Sequence, residues 1–233
     1  MKATEHDALA NLLARARTQT GKTSILPNEN GVEIRLIEAK LAFQHSFVSG
    51  ALPVRARQST QALLKACSNK QRNIKTVLDL TAGWGIDGFT LAWHGQRVTL
   101  LEQNELVHAI VAYSLSRLAA DHHGAAIAER IFIENANANN YLQSSDANHE
   151  YDCIYLDPMF PRHKSGAKPA KEMQILQALT TNVEIDSCFE LALQKARRRV
   201  VVKRPARAAL LSALKPDLVY REKTIRFDVY LTR

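Results

Sequence analysis

From Lys75 onward, short apolar runs rich in β-branched residues alternate with helix-length amphipathic segments, and the alternation continues as far as Lys203. That pattern limits the chain to a parallel sheet covered by helices on both faces. The spacing predicts strands at Val77–Leu80, Arg97–Leu101, Glu129–Glu134, Tyr151–Asp157 and Arg199–Lys203. Helices are expected at Ile86–Trp93, Leu106–Ala120, Lys171–Leu179 and Cys188–Ala196. Leu218–Tyr220 and Phe227–Leu231 alternate as a closing antiparallel pair. Ahead of this α/β region the pattern is different. Leu9, Leu12, Leu13 and Ala16 have helical spacing; Thr23–Leu26, the turn signal Pro27–Gly31 and alternating Val32, Ile34 and Leu36 read as a hairpin, and Leu41–Val48 as a further strand. The expected organisation is a small N-terminal α+β module over 1–57 and a main domain over 58–233, with Pro53 and Arg55–Gln58 as the exit from the first and a helix at Ala62–Cys67 opening the second.

Two stretches inside the main domain carry chemistry. In Tyr151–Pro161 an apolar run stops at a carboxylate, Asp157, followed by Pro158, Met159, Phe160 and Pro161. Pro158 forbids a further ladder hydrogen bond and keeps Asp157 out of helical geometry, so Asp157 falls at the carboxyl end of a buried strand. Ligands bind at that edge of open α/β sheets, and a carboxylate beside an aromatic ring suits a flat, hydrogen-bonding substrate. An ordinary strand exit is the competing reading, since Asp-Pro pairs often start turns.

The second stretch is Asp79–Gly88, where the first strand runs into Gly83-x-Gly85-x-x-Gly88. A glycine turn between strand and helix admits a ligand to the backbone, and either a dinucleotide or S-adenosylmethionine can use it. Asp79 favours the second: a carboxylate there would repel a pyrophosphate but pair with the ammonium of an amino-acid moiety. Asp87 sits at the helix start. Glu102, ending the second strand, is placed for ribose hydroxyls, and Asn137 for an adenine edge, although an Asn-rich turn would also account for the run Asn135–Asn140.

With a base amino group at Asp157, the chemistry becomes methyl transfer. The lone pair of such an amine is delocalised into the ring, so acceptors on its hydrogens and a fixed line of attack are needed. Asp157 and the Pro158 carbonyl supply acceptors, and Phe160 a stacking surface worth about 1–3 kcal/mol.

The net charge of +8 favours a polyanionic partner. Arg55, Arg57, Arg162, Lys164, Lys168, Lys171, Lys203 and Arg204 are the candidate RNA contacts, with a solvated surface as the competing reading. Cys67, Cys153 and Cys188 are odd in number and widely spaced, which fits buried thiols in a reducing compartment. No histidine has metal-ligand spacing, the start of the chain lacks an apolar signal core, and no apolar stretch is long enough for a bilayer. A cytoplasmic protein without metal or membrane anchor is expected.

Leu78–Asp87, Leu101–Glu102, Tyr155–Pro161, Lys171–Met173 and Val200–Pro205 together resemble the bacterial methyltransferases that modify N2 of a guanine in 16S ribosomal RNA, the RsmJ type. The resemblance runs from about Val32 to Val229, and the Asp-Pro-Met-Phe-Pro string is its most specific part. It implies a Rossmann-like class I methyltransferase sheet, S-adenosylmethionine as cofactor, and 16S RNA or the small ribosomal subunit as partner, with guanine 1516 as the target. It also implies cofactor contacts at Ile86, Asp87, Glu102, Gln103, Asn137, Ala138 and Asp157, beside Asp79, Gly83 and Gly85 from the turn itself. The chain departs from the family pattern at Val54–Thr60, at Ile86, and at Asn137 and Ala138. Two alternatives stand beside this expectation. One is a nucleotide-dependent oxidoreductase; the other is a non-catalytic RNA-binding or ribosome-assembly factor on the same fold.

Overall fold

The computed structural model describes residues 23–58, 61–67, 74–144, 151–158, 169–180 and 185–232. The helix expected over 5–18, together with Phe160, Arg162, Lys164 and Lys168, lies outside these residues.

In chain order the elements are β1 (Thr23–Asn28), β2 (Gly31–Leu36), β3 (Leu41–His45), α1 (Ala51–Arg57), α2 (Gln61–Cys67), β4 (Thr76–Asp79) and α3 (Ile86–Trp93). There follow β5 (Arg97–Leu101), α4 (Glu105–Ala120), α5 (Ala125–Ala128), β6 (Ile131–Glu134), α6 (Ala138–Ser144), β7 (Cys153–Leu156), α7 (Lys171–Leu179) and α8 (Ile185–Lys195). The chain closes through β8 (Arg199–Pro205), β9 (Leu218–Arg221) and β10 (Ile225–Leu231). Seven strands form one sheet in the order β6-β5-β4-β7-β8-β10-β9, and β1-β2-β3 form a separate antiparallel sheet. β4 to β8 pair in parallel and the last two strands antiparallel, as the alternation predicts.

Strand order reverses between β4 and β7, which opens the crevice at the carboxyl edge where such sheets take ligands. The two-residue period sorts side chains onto two core layers: Val77, Val98, Tyr155 and Val201 on one, Leu78, Ile154, Leu156, Val200 and Val202 on the other. The first layer also contains Ile25, Val32, Ile34 and Phe47. The small N-terminal sheet therefore shares the core of the main sheet instead of closing a core of its own.

Two elements differ from the expectation. The stretch read as an exit around Pro53 is the helix α1; Pro53 lies in its first turn, where a missing N–H is tolerated, and Leu52, Pro53 and Ala56 are buried. The Asn-rich run is irregular only up to Asn137, after which α6 begins; the Asn137 side-chain oxygen accepts the Asn140 N–H and starts that helix.

Candidate active site

At the carboxyl edge of β4, β5, β7 and β8 a cavity of about 920 Å³ is lined by residues from the strand ends, the glycine turn, α7 and Arg55 of α1. Its walls are acidic. Asp79, Asp87, Glu102, Glu105, Asp157 and Glu172 line it, against two cationic side chains, Arg55 and Lys203, among the described residues. An acidic chamber in a chain of net charge +8 selects for a cationic small ligand and against phosphates.

The glycine turn forms the floor. Gly85 has φ +68°, the left-handed region, and a Cβ there would press on Leu100, Val111 and Phe47 at 3.2–3.5 Å. A Cβ on Gly88 would meet Leu100 Cδ2 at 2.3 Å, so the third glycine lets α3 pack against β5. Gly83 donates its N–H to Glu102 Oε2 at 3.0 Å, and the other carboxylate oxygen of Glu102 accepts the Asn104 N–H at 2.8 Å. Burial pushes the Glu102 carboxyl up from its ordinary value, while these backbone donors oppose the shift.

At the other end, strand register places the charged groups. The last paired rungs of β4, β7 and β8 are Asp79↔Tyr155 and Tyr155↔Val201, followed by Leu156↔Val202. One residue further, Asp157 and Lys203 fall side by side on the layer shared with Asp79 and Tyr155. Lys203 Nζ bonds Asp157 Oδ2 and Asp87 Oδ2, each at 2.8 Å, and the Tyr155 hydroxyl donates to Asp87 Oδ2 at 2.6 Å. The Asp157 N–H bonds Thr81 Oγ1, and the Thr81 N–H bonds Asp79 Oδ1 at 3.0 Å.

Ionisation follows from this arrangement. Burial, with Asp87 and Asp157 nearby, pushes the Asp79 carboxyl up to about 8. Asp157 is raised by burial, against the pull of Lys203, whereas at Asp87 burial is outweighed by the Lys203 ammonium and the Tyr155 hydroxyl, which hold it below the usual carboxylate range. Lys203 is itself held well above an ordinary lysine by the two carboxylates, which outweigh its burial.

The cavity brings together Asp79, Gly83, Ile86, Asp87, Glu102, Gln103, Asn137, Asp157 and Pro158, as the sequence predicts, with Gly85 beneath them in the turn. Asn137 donates to Gln103 Oε1 at 2.8 Å, so the two amides form one unit. Ala138 is not on the cavity wall; its methyl is buried in the second core layer.

The basic residues divide. Lys171 is exposed at the start of α7, and Arg55, on the cavity wall, pairs with Glu172 at 2.7 Å. Arg57 turns away and stacks over Trp93, 4.9 Å from the ring centroid at the far end of α3. Two expected RNA contacts are corrected. Lys203 is committed to two carboxylates inside the cavity, and Arg204, next along β8, faces the opposite layer, where it is buried and donates to the Ala209 carbonyl. A strand reverses the side of successive residues, so neighbouring charges in sequence cannot act together here.

Some site residues were not singled out from the sequence. Trp84 donates to the Glu172 carbonyl at 2.8 Å and ties the glycine turn to α7. His45 of β3 bridges the Trp84 carbonyl and Ser114 Oγ, each at 2.8 Å; burial lowers its imidazole to about 4, so it is neutral at physiological pH. A lone histidine in an apolar strand gave no signal, and Tyr155 read simply as core.

Fold, turn and acidic cavity define an S-adenosylmethionine-dependent methyltransferase of the Rossmann-like class. Residues 9–232 match the family described as "Putative SAM-dependent methyltransferase". The chain is 42% identical over 193 residues to Ribosomal RNA small subunit methyltransferase J of Thioalkalivibrio sulfidiphilus, covering 81% of this chain and 76% of the relative. The protein of the same name from Aeromonas salmonicida is 37% identical over 234 residues, covering 96% and 93%. A crystal structure of an SAM-dependent methyltransferase from Neisseria gonorrhoeae superposes with a TM-score of 0.74 at 28% identity, covering 97% of this chain and 91% of that one. The chain belongs to the ribosomal RNA small subunit methyltransferase J family. Among the described residues no helix is long and apolar enough to cross a membrane.

Proposed function

We propose that this chain methylates the N2 amine of a guanine in 16S ribosomal RNA, in the cytoplasm, with Asp157 presenting the amine. The observation that carries the reading is Asp157 itself, fixed at the switch point of the sheet with its N–H on Thr81 and one carboxylate oxygen on Lys203. In this reading Asp79 pairs with the ammonium of the bound cofactor, Glu102 takes the ribose hydroxyls, and Asn137 with Gln103 reads the adenine edge. Ile86, at the start of α3, adds apolar contact. The cofactor supplies an electrophilic methyl: the bond from N2 to carbon forms as the carbon–sulfur bond breaks, and sulfur keeps the electron pair.

Asp157 and the Pro158 carbonyl accept the amine hydrogens and aim the nitrogen lone pair, while Phe160 stacks on the base. The proton lost from nitrogen passes to water. The acidic walls repel phosphate, so only a base enters, and guanine N2, which lies at the minor-groove edge of a duplex, must be unpaired or flipped out. Arg55 on the cavity wall and Lys171 at the start of α7, with Arg162, Lys164 and Lys168 of the basic stretch of sequence, hold the strand outside. The relatives named for the small-subunit RNA support this substrate; guanine 1516 rests on the family resemblance alone. Membership of a methyltransferase family leaves no support for the oxidoreductase alternative.

The test is transfer from labelled S-adenosylmethionine to naked 16S RNA and to small subunits lacking the modification, with the product mapped by nuclease digestion and mass spectrometry. N2-methylguanosine in at least one substrate is expected. Cofactor binding with no label in either would leave an assembly factor on a methyltransferase fold.

A further inference from the structure

We propose that Lys203 is a positioning residue for methyl transfer, clamping the Asp157 carboxylate through Oδ2 so that Oδ1 is presented, ionised, to the substrate amine. The inference rests on the function proposed above. Its geometry is a three-centre bridge: one ammonium between two carboxylates on different elements, Asp87 of α3 and Asp157 after β7, at 2.8 Å each. The Asp87 carboxylate also accepts the Tyr155 hydroxyl at 2.6 Å. Lys203 is thus held by an anchored carboxylate, Asp87, as well as by Asp157. It fixes the rotation of that carboxylate, and backbone bonding to Thr81 fixes its root.

The clamp is needed because the surroundings oppose an anion at this point. Asp79 from β4, Asp87 from α3 and Asp157 itself crowd together with the Tyr155 hydroxyl, and the thiol of Cys67 from α2 lies on the same side with its ionisation also suppressed. Burial and Asp87 both favour the protonated form of Asp157, and Lys203 is the cation that opposes them. A protonated Asp157 would have one acceptor oxygen fewer for the amine. Lys203 therefore serves the reaction without touching either substrate: it acts on the state and direction of Asp157. Its position next to Arg204 in a basic string disguises this role, since only the strand register separates the two.

The experiment compares wild type with Lys203→Met, Lys203→Gln and Lys203→Arg, measuring cofactor affinity and single-turnover methyl transfer to 16S RNA from about pH 5 to about pH 9. Wild-type transfer itself tests the function; the variants test the clamp. Expected are a roughly 10- to 100-fold slower transfer at neutral pH in the Met and Gln variants and an ascending limb displaced upward by about one pH unit or more. Transfer is read at saturating cofactor, because Lys203 also lowers the Asp79 carboxyl and its loss should weaken cofactor binding to a smaller degree than it slows transfer; Lys203→Arg should recover most of the rate and the wild-type limb. If Lys203→Met fails to fold, the Gln variant, which keeps hydrogen-bonding capacity without charge, carries the comparison. Active wild type with an unshifted limb in the uncharged variants would overturn the proposal, whatever their rate, as would a loss confined to cofactor binding.

Discussion

The two ends of the cavity are built by different means. At the end formed by β5 and the glycine turn, Glu102 is held by backbone donors from Gly83 and Asn104, and Asn137 and Gln103 hold one another. At the end formed by β4, β7 and β8, Asp79, Asp87, Asp157 and Lys203 are brought together by strand register and held by one another's charge. The first end is shaped by loops and held by hydrogen bonds. The second stores electrostatic tension that a cationic ligand can relieve. The difference teaches that ammonium binding and methyl transfer should respond to pH through Asp79 and Asp157, whereas the nucleoside end rests on hydrogen bonds.

The largest effect should come from Asp157→Ala, which removes the acceptor at the transfer end: transfer to RNA falls by about a thousandfold or more while cofactor affinity changes little, as equilibrium binding and single-turnover kinetics on the same preparation will show. Asp79→Asn sharpens the comparison from the cofactor side. With its carboxyl raised to about 8, Asp79 is mostly protonated in the free protein at neutral pH. Its native state then binds a proton that the unfolded chain has lost, so this group costs the free protein stability as pH rises from about 4 to about 8. A bound ammonium reverses the shift and releases the proton. Cofactor affinity should therefore strengthen roughly 10- to 100-fold from about pH 6 to about pH 8, where the ligand's own amine begins to titrate, with proton release visible by calorimetry in buffers of different ionisation enthalpy. In Asp79→Asn the slope should vanish and affinity at about pH 8 should drop roughly a hundredfold.

At the other end, Glu102→Gln should weaken cofactor binding by about tenfold while leaving the wild-type pH slope intact, which binding titrations at the same pH values will check. A changed slope would break the distinction between the two ends. The smallest effect belongs outside the cavity: Arg57→Ala loses a cation–π contact with Trp93 and should cost about 0.5–1 kcal/mol in denaturant unfolding, with cofactor affinity unchanged.

How much of this was legible in the sequence follows the same division. Periodicity gave α3, β5 and α7 with the bounds found in the structure, because each is a regular run with clear breaks. α1 was missed because Pro53 read as a breaker when it stands in the first turn, and α6 because its N-cap sits inside a run of turn-forming asparagines. The placement of the candidate residues at strand ends and in the glycine turn was legible because strand-end placement follows from local pattern. Lys203 and Arg204 were not: their opposite fates depend on which face each occupies and on what stands beside it across β7 and β10, which is tertiary information. The N-terminal sheet looked like a separate module because its pattern is antiparallel, yet Ile25, Val32 and Ile34 are completed by side chains of the main domain.

The most direct test of the two-ended cavity is a crystal structure with S-adenosylhomocysteine bound. The account predicts the ligand's ammonium within hydrogen-bonding distance of Asp79, its ribose on Glu102, its adenine beside Asn137, and its sulfur facing Asp157. A ligand lying the other way, with adenosine at Asp157 and the ammonium at Glu102, would contradict it.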